Sequence, residues 1–163
     1  MPKEKVVIPF EDFLMSIPPD CTVPVAELHE HLLGSGCAVD IKSAKSGYVV
    51  SYIHAGSQKV VANYVCRKKG VILRLYGDNC GQYMDVVNGL PEDMIKAVEK
   101  APVCRRLLDP DKCNSRCPMG YIMTIQGTEH KKCRYSCFML LVNKDSAPHL
   151  KSLLDRELAA RSA

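Results

Sequence analysis

Val65-Cys66-Arg67-Lys68-Lys69-Gly70-Val71-Ile72 sets a short basic turn ending in glycine between two β-rich runs, the pattern of a hairpin whose turn faces solvent. Outward from it the same period of two continues, upstream through Lys59 to Cys66, Tyr48 to Ile53 and Ala38 to Lys42, and downstream through Val71 to Tyr76. The interruptions are Ser46-Gly47, Ala55-Gly56-Ser57 and Lys68-Lys69-Gly70, all turn formers. A four-stranded antiparallel meander follows. Tyr48, Val50 and Tyr52 share a face within it. Tyr48, Tyr52, Tyr64, Tyr76 and Tyr83 suit strand packing, the alternative being a pocket or stacking platform between sheet and helices.

Around the meander the apolar period changes to that of helices. Phe10, Phe13, Leu14 and Ile17 give one or two turns, stopped by Pro18-Pro19. Thr22 is placed as N-cap of a helix from Pro24 through Leu33, with Val25, Leu28 and Leu32 inward and Gly34 to Gly36 as its stop. Leu90-Pro91-Glu92-Asp93 opens a helix to about Lys100, its acids beside the positive end of the helix dipole. From Ser146 or Ala147 a last helix carries Leu150, Leu153, Leu154 and Leu158 on one side and is expected to pack on the sheet. This order predicts an α+β fold: an antiparallel meander sheet, helices packed on one side, and a cysteine-rich loop or hairpin insertion. Residues 1–163 are read as one domain, with the cysteine-rich module at 104–137 inside it.

The chain of 163 residues is 47% hydrophobic and 25% charged, a composition that excludes disordered and collagen-like classes. No apolar run reaches the roughly 20 residues that span a bilayer. The opening Met1-Pro2-Lys3-Glu4-Lys5 leads to Pro9 and two acids without a signal-like apolar stretch, so the expected location is the cytoplasm and no membrane partner is expected. Walker, dinucleotide-binding, G-x-S-x-G, H-E-x-x-H, deaminase and ferredoxin patterns are absent.

Nine cysteines are present, and Cys104, Cys113, Cys117, Cys133 and Cys137 fall within 34 residues in the pattern C-x8-C-x3-C-x15-C-x3-C. Two close pairs separated by a strand-length insert match the layout of a four-thiolate structural zinc site. Four such bonds would fix loops that have little core of their own. Residues four apart on a regular strand stand about 13 Å apart, too far for one ion. Two ligand sets therefore stay open. If residues 131–136 turn, Cys113, Cys117, Cys133 and Cys137 converge. If Lys131 to Val142 is a strand paired with Tyr121 to Gln126 about Gly127 to His130, the set is Cys104, Cys113, Cys117 and Cys137. Cys21, Cys37, Cys66 and Cys80 read as small buried hydrophobes.

The same segment holds seven basic residues against three acids and so carries +4, the formal net charge of the whole chain. Arg105, Arg106, Arg116 and Arg134 could offset zinc-bound thiolates, activate a reactive thiol in a redox enzyme or sensor, or meet nucleic acid, although no recognition motif accompanies the charge. His29 and His31 point about 200° apart on a helix and cannot share an ion. His130 alone is close enough in sequence to substitute for a thiolate.

The meander followed by Leu90-Pro91-Glu92-Asp93-Met94-Ile95-Lys96 resembles small uncharacterised bacterial α+β proteins, and residues 104–137 resemble a cysteine-rich subset of them. The resemblance implies the fold and no activity. From its residues the chain is expected to be a zinc-binding domain with an interaction or small-ligand role, its partner a protein or a small molecule.

Overall fold

The computed structural model describes residues 6–45 and 47–162; Met1 to Lys5 of the lead-in, Ser46 of the first turn and Ala163 of the tail lie outside the described residues. Strands β1 (Cys37–Ala44), β2 (Gly47–His54), β3 (Lys59–Arg67) and β4 (Gly70–Leu75) pair antiparallel in chain order, as the alternation predicts. The β3–β4 turn leaves Lys68 and Lys69 exposed and closes on Gly70 at a φ of +131°, a conformation that suits glycine. The helices are α1 (Phe10–Ser16), α2 (Thr22–Gly34), α3 (Met84–Asn88), α4 (Glu92–Glu99), α5 (Arg105–Leu108) and α6 (Ala147–Ser162).

One feature departs from the sequence expectation: the five residues of α3 lie where a loop is expected. Of the two arrangements left open for the cysteine segment, the continuous hairpin is not the one formed. Instead β5 (Tyr121–Ile125) pairs with β6 (Thr128–Lys132) through a tight turn in which Gln126 and Gly127 both have positive φ, 48° and 84°. The chain turns again at 133–136, where the Cys137 amide donates to the Cys133 carbonyl at 2.8 Å. It then leaves the ribbon. Strand β7 (Phe138–Leu141) joins the main sheet beside β4, giving the order β1-β2-β3-β4-β7. Cys137 therefore does not oppose Gly120, and the continuous strand behind the second ligand set is replaced by a turn between two sheets.

The faces of the five-stranded sheet differ. Val50, Tyr52, Tyr64, Leu73, Leu75, Phe138 and Leu140 point toward the helices and join Phe13, Val25, Leu32, Val98 and Leu154 in the core. Tyr52, Tyr64 and Tyr83 are fully buried there, so these rings serve packing and not an open stacking platform. Phe13 stacks on Tyr64, whose hydroxyl donates to the Val25 carbonyl at 3.0 Å.

Register puts the other residues on the opposite face in three ladders, and these side chains stand outside that core. One ladder runs Ala38, Ile53, Val60. The next is Asp40, Ser51, Asn63, Arg74, Met139. The third is Lys42, Val49, Val65, Ile72, Leu141, a polar row thus lying between two mainly apolar ones.

Candidate functional site

The cysteine segment is organised around β6. Beyond its edge the Cys104 amide donates to the Lys131 carbonyl and the Cys133 amide to the Pro102 carbonyl, both at 2.9 Å, so that across the antiparallel Val103–Lys132 bridge Cys104 opposes Lys131 and Cys133 opposes Pro102, the two cysteines offset diagonally by two residues. The Gly120 amide donates to the Cys104 sulfur at 3.3 Å. No side chain fits at Gly120, where a Cβ would stand 2.0 Å from the Lys132 carbonyl oxygen and 2.8 Å from Cys104 Cβ.

Cys137 is buried one turn beyond Cys133, near Cys80, which sequence reasoning had set apart from the cluster. Cys113 is exposed and Cys117 half-buried on the loop that follows α5. Among the described residues no group of three or more His, Cys, Asp or Glu side chains is placed to hold a metal ion, and His130 is no exception. The fold thus sets Cys104, Cys133 and Cys137 about the end of β6, and Cys113 and Cys117 on the loop that follows α5.

Burial sets the thiol chemistry. It pushes Cys80 up to about 12, with Glu157 and Asp78 adding to the effect, and burial first and the neighbouring Cys80 second raise Cys137 well above the ordinary thiol range. Cys21 and Cys37 are raised as well, again chiefly by burial. These four stay protonated near neutrality and are poor nucleophiles.

Two of the segment's basic residues are held within the fold, while Arg105, Lys112 and Arg116 stay exposed. Arg134 forks onto Asp78 at 2.8 and 2.9 Å and lies over the Tyr76 ring, 4.6 Å from its centre, and so does not cover the thiols. Lys132 is 5% exposed and donates to the Glu99 and Ala101 carbonyls, the latter at 2.8 Å, tying β6 to the end of α4. Two of the seven cations are therefore committed within the fold, which weakens the case for a phosphate-binding stripe.

A second polar centre joins α6 to the end of the sheet. Glu157, fully buried, accepts from the Asn79 amide and side chain, the Tyr83 hydroxyl and Arg161, at 2.7 to 2.9 Å. Asp78 accepts from Tyr121 and Arg161 besides Arg134. Burial alone would raise the Asp78 carboxyl, but these donors outweigh it and hold it below the usual carboxylate range. Every acceptor here is satisfied by the protein, so the cluster reads as a clamp and offers no open valence to a substrate.

An open concavity lies elsewhere. A groove of about 830 Å³ runs between the first half of α2 and the start of α6, in the size range of small-ligand sites. Val23, Pro24, Leu28 and Pro148 line it with apolar surface, while Asp20 and Glu27 stand on the α2 side and Lys144 and Lys151 on the α6 side. His31 bridges the two helices through Asp155 at 2.5 Å. Sequence reading missed this site because its walls are about 120 residues apart along the chain; in the structure Val23 on its rim is 64% exposed.

The chain matches no protein-family model, no curated protein and no solved structure. Its function is therefore read from the site alone.

Proposed function

We propose that this chain is a binding domain whose ligand lies in the α2–α6 groove, and that the ligand is a peptide or peptide-sized molecule carrying both charges. The observation that supports this reading is the pairing of an apolar floor with an acidic wall, Asp20 and Glu27, and a basic wall, Lys144 and Lys151. Apolar contact supplies affinity, and walls of opposite sign orient a dipolar ligand and reject one with a single sign of charge. The test is a titration of the isotope-labelled protein, followed by NMR, with short peptides bearing Lys and Glu at opposite ends, all-Lys, or all-Glu. The mixed-charge peptides should shift groove amides, and Glu27→Lys or Lys151→Glu should weaken that binding at least about tenfold. Equal behaviour of all three peptide classes would overturn it.

A structural zinc site is a second reading. It is supported by the stretch 110–116, in which every residue is exposed, so that a segment with no core of its own carries Cys113 and leads to Cys117. A reducing cytosol suits either reading, since all nine cysteines are free.

A further inference from the structure

The open face of the main sheet holds two buried polar atoms without a hydrogen-bond partner. They are Asn63 Oδ1 and Arg74 Nε. Asn63 is only 7% exposed, and it sits directly opposite Arg74 across β3 and β4. The Arg74 side chain has one polar contact, a 3.9 Å approach of Nη2 to the Met139 sulfur, and no carboxylate among the described residues pairs with it. An arginine so placed is surrounded by Val65, Ile72, Met139 and Leu141, and Leu141 is 39% exposed. Both features are what an unoccupied interface leaves behind.

We propose that this face is a homodimer interface in which two sheets stack with their strands aligned and Arg74 of each copy meets Asp40 of the other. The argument is the order of the polar ladder. Read across the sheet it runs acid, hydroxyl, amide, cation: Asp40, Ser51, Asn63, Arg74. A twofold axis parallel to the strands and lying between β2 and β3 reverses that order in the second copy. Asp40 then faces Arg74 of the second copy twice over, and Ser51 faces Asn63, bringing a hydroxyl donor to the amide oxygen that lacks one.

The flanking ladders meet themselves in the same operation, Val49 against Val65 and Ile53 against Val60. Sheets that stack this way lie about 10 Å apart at roughly −30°, a distance that these side chains fill. Asp40 keeps Lys42 beside it at 3.7 Å, and a carboxylate accepts from both cations. An axis centred on β3 instead would put Asn63 on Asn63 and Asp40 on Met139, so charge selects the first arrangement. The surface is separate from the α2–α6 groove and the inference does not depend on it.

Sedimentation equilibrium of the full chain at concentrations up to the order of 100 μM should give twice the 18.1 kDa monomer mass. Arg74→Glu and Asp40→Lys should each weaken dimerisation at least about tenfold, because each variant alone sets like charges against one another at both contacts. Mixed in equal amounts the two variants should regain the dimer, since a mixed pair joins Asp40 to Arg74 at one contact and Glu to Lys at the other. Circular dichroism confirms that each variant is folded. Should either unfold, a dilution series of the wild-type chain decides, with the Asn63 side-chain amide and Arg74 Nε–H resonances expected to shift. A monomer throughout, a dimer indifferent to both variants, singly folded variants whose mixture stays monomeric, or unchanged resonances on dilution would overturn the proposal, as would a dimer whose shifts map to another surface.

Discussion

Glu157 and Arg161 stand one turn apart on α6 as an ion pair whose side chains are 0% and 6% exposed, with Nε and Oε2 at 2.9 Å. The pair is embedded in donors, and Arg161 also reaches the Val60 and Tyr76 carbonyls on the sheet. A buried pair of this kind adds little over a well-packed apolar pair. Breaking it costs much more, because the surviving partner keeps its desolvation penalty.

Glu157→Ala should therefore destabilise the fold by about 3 to 5 kcal/mol. Asn79 and Tyr83 lose their acceptor at once, and Arg161 loses its buried carboxylate while keeping Asp78 and two carbonyls. Urea denaturation followed by circular dichroism measures it, and a loss below about 1 kcal/mol would mean that solvent replaces the carboxylate.

His29 should make stability pH-dependent. Its ring stacks on Phe10, 3.5 Å between centres, and Nδ1 lies 2.7 Å from the Tyr52 hydroxyl. Burial lowers its pKa below the ordinary 6.5, with Glu30 and Glu11 opposing only in part. The unfolded chain thus binds the proton more readily. Stability is full above about pH 6.5 and falls as pH drops from there through the lower, folded-state pKa. Thermal melts between pH 7.5 and 5 should show a decline that His29→Gln reduces, and equal slopes in the two proteins would assign the decline to another group.

Gly120→Ala should disrupt the seam between Cys104, β5 and β6. The added methyl would lie 2.0 Å from a backbone oxygen, which cannot yield as a flexible side chain does. Overpacking of this order costs about 1 to 3 kcal/mol or more. Amide exchange at Cys104 and Cys133 should accelerate with it, and unchanged exchange there would show that the ribbon shifts as a body.

The zinc reading is checked by elemental analysis of protein purified under reducing conditions without chelator. It expects close to one zinc per chain, lost in Cys113→Ser and Cys117→Ser and kept in Cys21→Ser. Comparing Cys104→Ser with Cys133→Ser separates the two ligand sets. Protein without metal, or metal retained in all four variants of the clustered cysteines, would overturn the zinc reading.

The meander was legible because alternation and turn residues are local: Gly47, Gly56 and Gly70 bracket strands that pair in order. The destination of Phe138–Leu141 was not. Its alternation serves equally well beside β6 or beside β4, and only distant packing chooses between them. Helix α3 escaped notice since five residues, Met84 to Asn88, carry too short a period to register. The buried ion pair did leave a trace. Glu157 and Arg161 fall on the same helical stripe as Leu150, Leu154 and Leu158, a position where a charge needs a partner. The groove left little, because residues near 24 and 148 become neighbours only after folding.

Strand β7 also sets a timetable for synthesis. About 60 residues separate Leu75 from Phe138, which pairs with it, and at ribosomal rates their emergence takes on the order of several seconds. Until then β4 borders water with an unpaired backbone edge, a template on which another nascent chain can add a strand. Arg67, Lys68 and Lys69 stand exposed where that edge begins. Three adjacent cations repel an identical edge approaching in register, so the basic hairpin tip acts as a gatekeeper while the chain is unfinished.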